Sequence, residues 1–367
     1  MIVTGTGLAM GLASWNLLKN LQKRLILTPP AGGEPELVDL TLALPVRDEE
    51  ANLRELLPQL LALEPRPREI LFLDDGSSDG TSELLADAAA RAPWVRVVRG
   101  APLPSGWRGK VHALHQLFRE TRTPYVLFID ADVRLADPGA VASIWETGKA
   151  HAAGRGGFFT VFPRPQVGLG AGLLVHQIHT HLFYFLPYFA KEWGLRSAVA
   201  GCGQVMLASV EALQEIGGFE RIRGSTHDGL QLARAFSAER LPVDFADGGV
   251  FVSCRTYAGF ADAFRGFSRN SFEGFGSPVA AVAVSAALFW VFVFPFVLAP
   301  FFVLNPVFAV AFLALLAAQW KMASDFGFGW SHVPLTPVKA GASIAVHLWS
   351  LTRAKLGIPQ IWHGRKV

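Results

Sequence analysis

Apolar residues follow two periodicities along this chain. Uninterrupted runs rich in β-branched and aromatic side chains, at 37–45, 69–74 (EILFLD), 95–98 and 125–130 (YVLFID), predict buried strands. Over 49–63 the apolar positions instead recur every three to four residues, placing Leu53, Leu56, Leu57, Leu60 and Leu61 on one side of a helix, and 81–90 and 110–119 have helical composition. Strands and helices in alternation predict a mostly parallel sheet. Beyond residue 132 the alternation loosens. The runs 158–162, 205–209 and 245–252 read as further strands, and 166–189 is a long apolar stretch containing His176, His179 and His181.

A different pattern closes the chain. Residues 279–320 carry no charged side chain and are broken by Asn305-Pro306. A span needs about 20 apolar residues, so this predicts a helical hairpin through a bilayer. Pro295 and Pro300 are tolerable inside its first leg, where neighbouring helices satisfy freed backbone groups. Residues 1–18 are also uncharged, and Lys19, Lys23 and Arg24 follow the apolar run, the reverse of a cleaved signal peptide. That order predicts an amino-terminal anchor; Ser14 and Asn16 leave an interfacial amphipathic helix as the alternative. The short segment 336–352, with Lys339 and His347, predicts a helix lying in the interface or else a third span.

The chain therefore divides into an anchor (1–27), a Pro/Gly linker (28–35), a catalytic domain (37–275), a membrane hairpin (279–322) and an interfacial or membrane helix with a basic tail (335–367). Arg265 and Arg269 before the hairpin, and Lys321, Lys339, Arg353, Lys355, Arg365 and Lys366 after it, place the large domain on the cytoplasmic face of the inner (cell) membrane by the positive-inside rule. The 51% hydrophobic content and mean hydropathy of +0.32 agree with a membrane protein. A net charge of +3, partly in membrane-flanking positions, points to anionic headgroups and not to nucleic acid. Cys202 and Cys254 make no disulfide framework and read as small buried residues.

Two acidic signatures carry the chemistry. DDGSSDGT at 74–81 and DAD at 130–132 each close a predicted strand, so both emerge at the carboxyl edge of one sheet, where open α/β sheets bind ligands. Asp130 and Asp132, one residue apart, suit a hard divalent cation held against the phosphates of a nucleotide. Asp79 or Ser78 can cap the helix starting near Thr81. The glycines of Gly201-Cys202-Gly203-Gln204 suggest close backbone approach. No carboxylates or cysteines accompany the three histidines to make a zinc site, and an apolar interfacial helix is the preferred reading, with Phe183, Tyr184, Phe185, Tyr188 and Phe189 toward lipid or acceptor.

The ordered runs PVRDEEANL (45–53), DDGSSDGT, GWRGK (106–110), FIDAD (128–132) and IGGF (216–219) resemble glycosyltransferase family 2. GWRGK, GFSRN (266–270), the terminal hairpin and the closing WHGR (362–365) are similar to its membrane-bound branch, which includes chlorobactene and other carotenoid glucosyltransferases and hopanoid-associated glycosyltransferases. The resemblance implies a GT-A fold, a Rossmann-like nucleotide-diphospho-sugar transferase domain, here carrying an N-terminal membrane helix and a C-terminal transmembrane hairpin.

It also implies roles. Asp74 and Asp75 would read the nucleotide base and ribose, with Pro45, Arg47 and Glu49 completing the pocket and Asp48 standing where the family usually has Asn. Lys110 would reach the donor diphosphate, favoured by its charge. Mg²⁺ or Mn²⁺ would be held mainly through Asp132, with Asp130 acting as a second ligand, through water, or on the ribose. The family's acidic pair before a helix is His227-Asp228 here, making Asp228 the general base and His227 a helper or the base itself. Asp228 can equally be a helix cap. Gly203, Gln204, Arg269 and Asn270 would face the acceptor. The QxxRW motif of processive synthases has no match, and FRGFSRN stands in its region, so one sugar is transferred per event. The expected activity is inverting transfer of a single hexose, glucose first, from a UDP-sugar to a hydroxyl of an apolar membrane lipid such as a carotenoid or hopanoid. A polyprenyl phosphate or glycerolipid acceptor is the alternative, and a catalytically idle scaffold the alternative of another class.

Overall fold

A computed structural model of the chain describes all residues except 1, 31–35, 194, 196–197, 303–304, 359–360, 363–364 and 367. Parts of the linker and of the closing WHGR run lie outside the described residues. The chain separates into a sheet unit, Arg24–Gln166 with Val199–Arg255, and a helical unit, Met1–Lys23 with Val167–Ala198 and Thr256–Val367.

In the sheet unit eight strands pair in the order Leu25–Ile26, Val243–Asp247, Phe158–Phe162, Val205–Ser209, Tyr125–Ile129, Leu40–Val46, Glu69–Asp74, Val95–Arg99. Neighbours are parallel except at Val205–Ser209, which runs antiparallel to both of its partners. Both faces are covered, which is why the strands read as unbroken apolar runs. Leu42, Leu44, Phe72, Leu127, Ile129 and Phe159 project to one face and meet Leu53, Leu56, Leu85, Ile144 and Trp145 of the helices Glu50–Leu61, Thr81–Arg91 and Ala140–His151. The alternate positions Ala43, Leu71, Leu73, Val126, Phe128 and Met206 meet Val111, Leu114, Leu117, Leu232 and Phe236 of Gly109–Glu120 and Asp228–Ala238.

The run expected as one strand over 245–252 is two. Gly248 and Gly249, the latter at φ +58°, turn the chain between Val243–Asp247 and Val252–Cys254. Val252–Cys254 then joins a small second sheet, antiparallel to Val133–Leu135 and parallel to Arg164–Pro165.

The helical unit takes in 167–198 and 256–275, residues that the sequence assigned to the catalytic domain of 37–275. Aromatic packing is the reason. Phe183 lies 5.2 Å from Phe326 and Tyr184 lies 4.8 Å from Phe292, ring centroid to centroid. Phe183, Tyr184 and Tyr188 are thereby buried and do not face outward as an interfacial helix would present them, and 166–189 breaks into the short helices Leu169–Val175 and Gln177–Thr180 and a π-turn at His181–Phe185.

Two described helices are long and apolar enough to cross a membrane: Pro278–Phe301, 24 residues with mean hydropathy 2.4, and Pro306–Phe326, 21 residues with 1.6. Asn305 caps the second, its Oδ1 accepting from the amides of Val307 and Phe308, both at 3.1 Å. The amino-terminal helix Ile2–Lys23 is inverted relative to a water-soluble one. Thr6, Gly7, Met10, Ala13, Ser14, Leu17 and Asn20 face the protein, while Ile2, Leu8, Leu12, Trp15 and Leu18 are exposed. Its asparagines have partners: Asn16 donates to Tyr184 O (2.8 Å) and Asn20 to Phe183 O (2.9 Å) and Leu186 O (2.6 Å), carbonyls at the π-turn. The helix Thr336–Leu356 likewise turns Lys339, Ser343, His347 and Ser350 inward and leaves Val338, Leu348, Trp349 and Leu356 exposed, the reverse of the polar-outward pattern of an interfacial helix.

Candidate active site

Adjacent parallel strands bring the two acidic motifs to one edge. The loop after Leu40–Val46 and the loop after Glu69–Asp74 are stitched together by side chains at positions 48–50 and 77–81. Asp48 sits at φ +53°, which Asn and Asp tolerate better than most residues, and its Oδ1 accepts from the Ser78 amide at 2.7 Å. The amides of Glu49 and Glu50 donate to Thr81 Oγ1 (2.9 Å) and Asp79 Oδ2 (3.1 Å), and Asp79 Oδ1 accepts from the Thr81 amide at 3.0 Å; the N-cap position itself is Gly80, which has no side chain to cap with.

Asp74 spends both oxygens inside its own loop, on the Ser77 amide (2.8 Å) and the Ser82 hydroxyl. Asp75 is held differently. Arg47 donates to its carbonyl at 2.9 Å and lies 3.6 Å from its carboxylate. Of the pair, Asp75 is the one whose carboxylate lies beside a side chain from the neighbouring loop, that of Arg47. Pro45 is the penultimate residue of Leu40–Val46, and burial raises the Glu49 carboxyl above its ordinary range, with Asn52 as its hydrogen-bond donor at 2.7 Å.

At the second motif one ammonium joins the groups that sequence placed in separate roles. Lys110, in the first turn of Gly109–Glu120, lies 2.6 Å from Asp130 Oδ2 and 2.8 Å from Asp228 Oδ2 and donates to the Gly203 carbonyl at 3.1 Å. Burial works against the charge on Lys110, but the two carboxylates outweigh it and raise its pKa. Burial pushes Asp130 up to about 7 despite Lys110, with Asp132 and Asp228 adding to the rise. Asp132 is also raised, by burial, against the hydrogen bonds of Gln204, whose Nε2 donates to its oxygens at 3.0 and 2.9 Å. Burial presses Asp228 the same way, yet Lys110, the Gly229 amide (2.9 Å) and nearby His227 overcome it and hold the carboxyl below its ordinary range.

The glycines of 201–203 are required by contact. A Cβ on Gly203 would lie 2.1 Å from Asp228 Oδ1, and one on Gly201 would lie 2.1 Å from the Gly229 carbonyl. The 201–204 segment thus passes directly against the start of the helix Asp228–Ala238, and Asp228 reaches Lys110 across it. Thr160 fixes that segment, exchanging hydrogen bonds with the Cys202 amide and carbonyl at 3.1 and 2.8 Å.

Arg134 is a residue the sequence reading passed over. Nearly buried, it donates to the carbonyls of Ala131 (3.0 Å) and Val133 (2.9 Å), to Glu55 and to Asn52 Oδ1 (2.8 Å). Through Asn52, which also binds Glu49, it ties the DAD turn to the first-strand loop. A basic residue two positions after the motif was the available signal. Of the acceptor residues named from sequence, Gly203 and Gln204 fall in this cluster; Arg269 belongs to the helix Phe260–Phe275 of the helical unit, and the side chain of Asn270 lies outside the described residues.

Among the described residues no group of three or more carboxylate, histidine or cysteine side chains is gathered as a metal site. Asp130 and Asp228 instead share the Lys110 ammonium, and Mg²⁺-type ions need only one or two protein carboxylates plus substrate phosphates.

Residues 41–216 match the family model Glycosyl transferase family 2. A curated relative, 4,4'-diaponeurosporenoate glycosyltransferase of Staphylococcus aureus (strain USA300), is 26% identical over 261 residues, which are 69% of this chain and 66% of the relative. The chain thus spans just under two thirds of the length of the curated relatives it matches. Among solved structures, the mannosyltransferase PcManGT from Pyrobaculum calidifontis in complex with GDP-Man and Mn2+ is similar with a TM-score of 0.58 at 17% identity, over 97% of this chain and 99% of that one, a likeness of fold.

Proposed function

We propose that this chain, whose residues 41–216 are a glycosyl transferase family 2 domain, transfers a single hexose from a nucleotide-diphosphate sugar to an apolar membrane lipid. The observation that carries the reading is the placement of Asp228: buried at a helix start, kept ionised, and joined through Lys110 to Asp130 of the DAD turn. Asp228 would take the proton of the acceptor hydroxyl as that oxygen bonds to the anomeric carbon and the bond to the diphosphate breaks, inverting the sugar. Burial alone would raise Asp228, and Lys110 is what most holds it down. An ammonium drawn toward a diphosphate would therefore leave Asp228 a stronger base when donor is present. Asp132 and Asp130 would hold a divalent cation, Mg²⁺ or Mn²⁺, which when bound offsets charge developing on the leaving diphosphate. Asp75 and Arg47 are the residues for the nucleotide, Gln204 for a sugar or acceptor hydroxyl.

UDP-glucose is the donor to test first and GDP-mannose the second, since the fold neighbour was solved with GDP-Man and Mn2+. A carotenoid is the first acceptor, in keeping with the curated relative's name. A phosphate-bearing lipid is the second reading, favoured by exposed Arg265 just ahead of the candidate spans. With Lys19, Lys23, Arg24, Arg265 and Lys321 flanking apolar helices, the sheet unit is assigned to the cytoplasmic side of the cell membrane.

The test is transfer of radiolabelled sugar from each donor to host membrane lipids, with Mn²⁺ or Mg²⁺, by the wild-type and Asp228→Asn proteins. A labelled lipid missing from the mutant lane is expected, and its mass identifies the acceptor. Label in both lanes would move the base to His227, and absence of label with every donor would favour the idle scaffold.

A further inference from the structure

The helical unit contains a buried amine that its own described side chains leave unpartnered. Lys339, in the first turn of Thr336–Leu356, is only 2% exposed, and its Nζ has no hydrogen-bond partner among the described residues. Burying an ammonium without a partner is costly, and the positive end of the helix dipole adds to the cost. Such a group carries its charge only where a counter-ion compensates it, and ionisable residues in apolar helices mark ligand sites by default.

Lys339 lines a cavity of about 150 Å³ together with His176, His332, Phe328, Leu173 and Leu335. No acidic side chain lines it among the described residues. The walls are built. His176 stacks on Phe328 with ring centroids 3.9 Å apart and planes 12° from parallel, and a Cβ on Gly172 would lie 3.0 Å from the His176 ring, so glycine at 172 makes room for it. His332 pairs through Nε2 with Gln319 Oε1 at 2.9 Å, which leaves its Nδ1 unpartnered. The space is about that of a benzene-sized group. It is too small to enclose a whole carotenoid or nucleotide sugar, and sufficient for a charged head with the first carbons of a chain.

We propose that this cavity binds the anionic head, a carboxylate or phosphate, of a membrane amphiphile, with Lys339 as its counter-ion and the apolar wall of Leu173, Leu335 and Phe328 receiving the start of the tail. The anion restores the missing partner of Lys339, and the helix N-terminus that disfavours a cation favours it. The site does not depend on the transfer reading, since binding is read without any sugar donor.

The experiment is fluorescence titration of the full chain in dodecyl maltoside micelles with cis-parinaric acid and with its methyl ester. The acid is expected to bind wild type and Lys339→Arg alike, and Lys339→Met on the order of tenfold or more weaker. The ester is expected to be insensitive to the substitution. Equal affinity of wild type for acid and ester overturns the proposal, and that comparison stands even where Lys339→Met does not fold. Inorganic phosphate is the competitor that separates the two sources of the anion: displacement of parinarate by phosphate at equal concentration would refute the need for a tail, and no displacement supports an amphiphile.

Discussion

Replacing Lys110 by methionine keeps most of the unbranched side chain and removes the charge that Asp130 and Asp228 share. The two carboxylates then face one another with only the Gly229 amide and His227 near Asp228 to offset them. A fully buried pair broken at one partner costs about 3–5 kcal/mol, whereas an exposed one is worth about 0–1 kcal/mol. Lys110 is 29% exposed and its partners are 22% and 12% exposed, so solvent screens part of the penalty. A loss of about 2 kcal/mol is the intermediate expectation. Domains of about 150–250 residues shift by about 2–4 °C per kcal/mol, which gives a fall in melting temperature of roughly 4–8 °C. The chain's two cysteines make the assay specific. Cys202 and Cys254 both lie in the sheet unit, and burial raises both thiols, Cys254 to about 12, so a thiol-reactive maleimide dye reports the opening of that unit. Adding Asp130→Asn to Lys110→Met is expected to recover part of the loss, because it removes one uncompensated charge. A Lys110→Met protein melting within about a degree of wild type would refute the coupling, as would a double variant less stable than the single.

Three further outcomes follow from named contacts. Gly203→Ala would place a Cβ 2.1 Å from Asp228 Oδ1 and must push it aside, and displacements near an ångström cost up to about 10²-fold in rate, so transfer should fall with donor affinity kept; equal loss of both would mean the loop had collapsed. Asp132→Ala should abolish Mn²⁺-dependent donor binding in calorimetry, and an unchanged affinity would remove Asp132 from the cation site. Asn20→Leu strips partners from the carbonyls of Phe183 and Leu186 and the amide of Phe189, so limited proteolysis in detergent should cut faster around 183–189, at a cost of about 2 kcal/mol or more; unchanged cleavage would show the π-turn to be held elsewhere.

Local rules made much of this protein legible in one dimension. Continuous apolar runs become strands when both sheet faces are covered, and so 69–74, 158–162 and 205–209 match the observed strands at both ends. A charge-free stretch broken by Asn-Pro becomes two helices of membrane-crossing length, and an acidic cluster at a strand end is carried to the sheet's edge by the chain direction alone. What sequence order could not supply is contact between distant residues. That Lys110 reaches Asp130 and Asp228 and not simply open solvent depends on a helix start, a strand end and a second helix start converging, 118 positions separating the lysine from Asp228 along the numbering. That Asp74 is consumed by its own turn while Asp75 meets Arg47 depends on which way each side chain leaves the strand. The polar residues of the helical unit mislead most, since Asn16, Asn20 and Lys339 look like defects in largely apolar helices when read in order. Tertiary packing turns them inward, where two asparagines find carbonyls and the lysine finds a cavity, because in such a unit the large apolar side chains are the ones left facing outward.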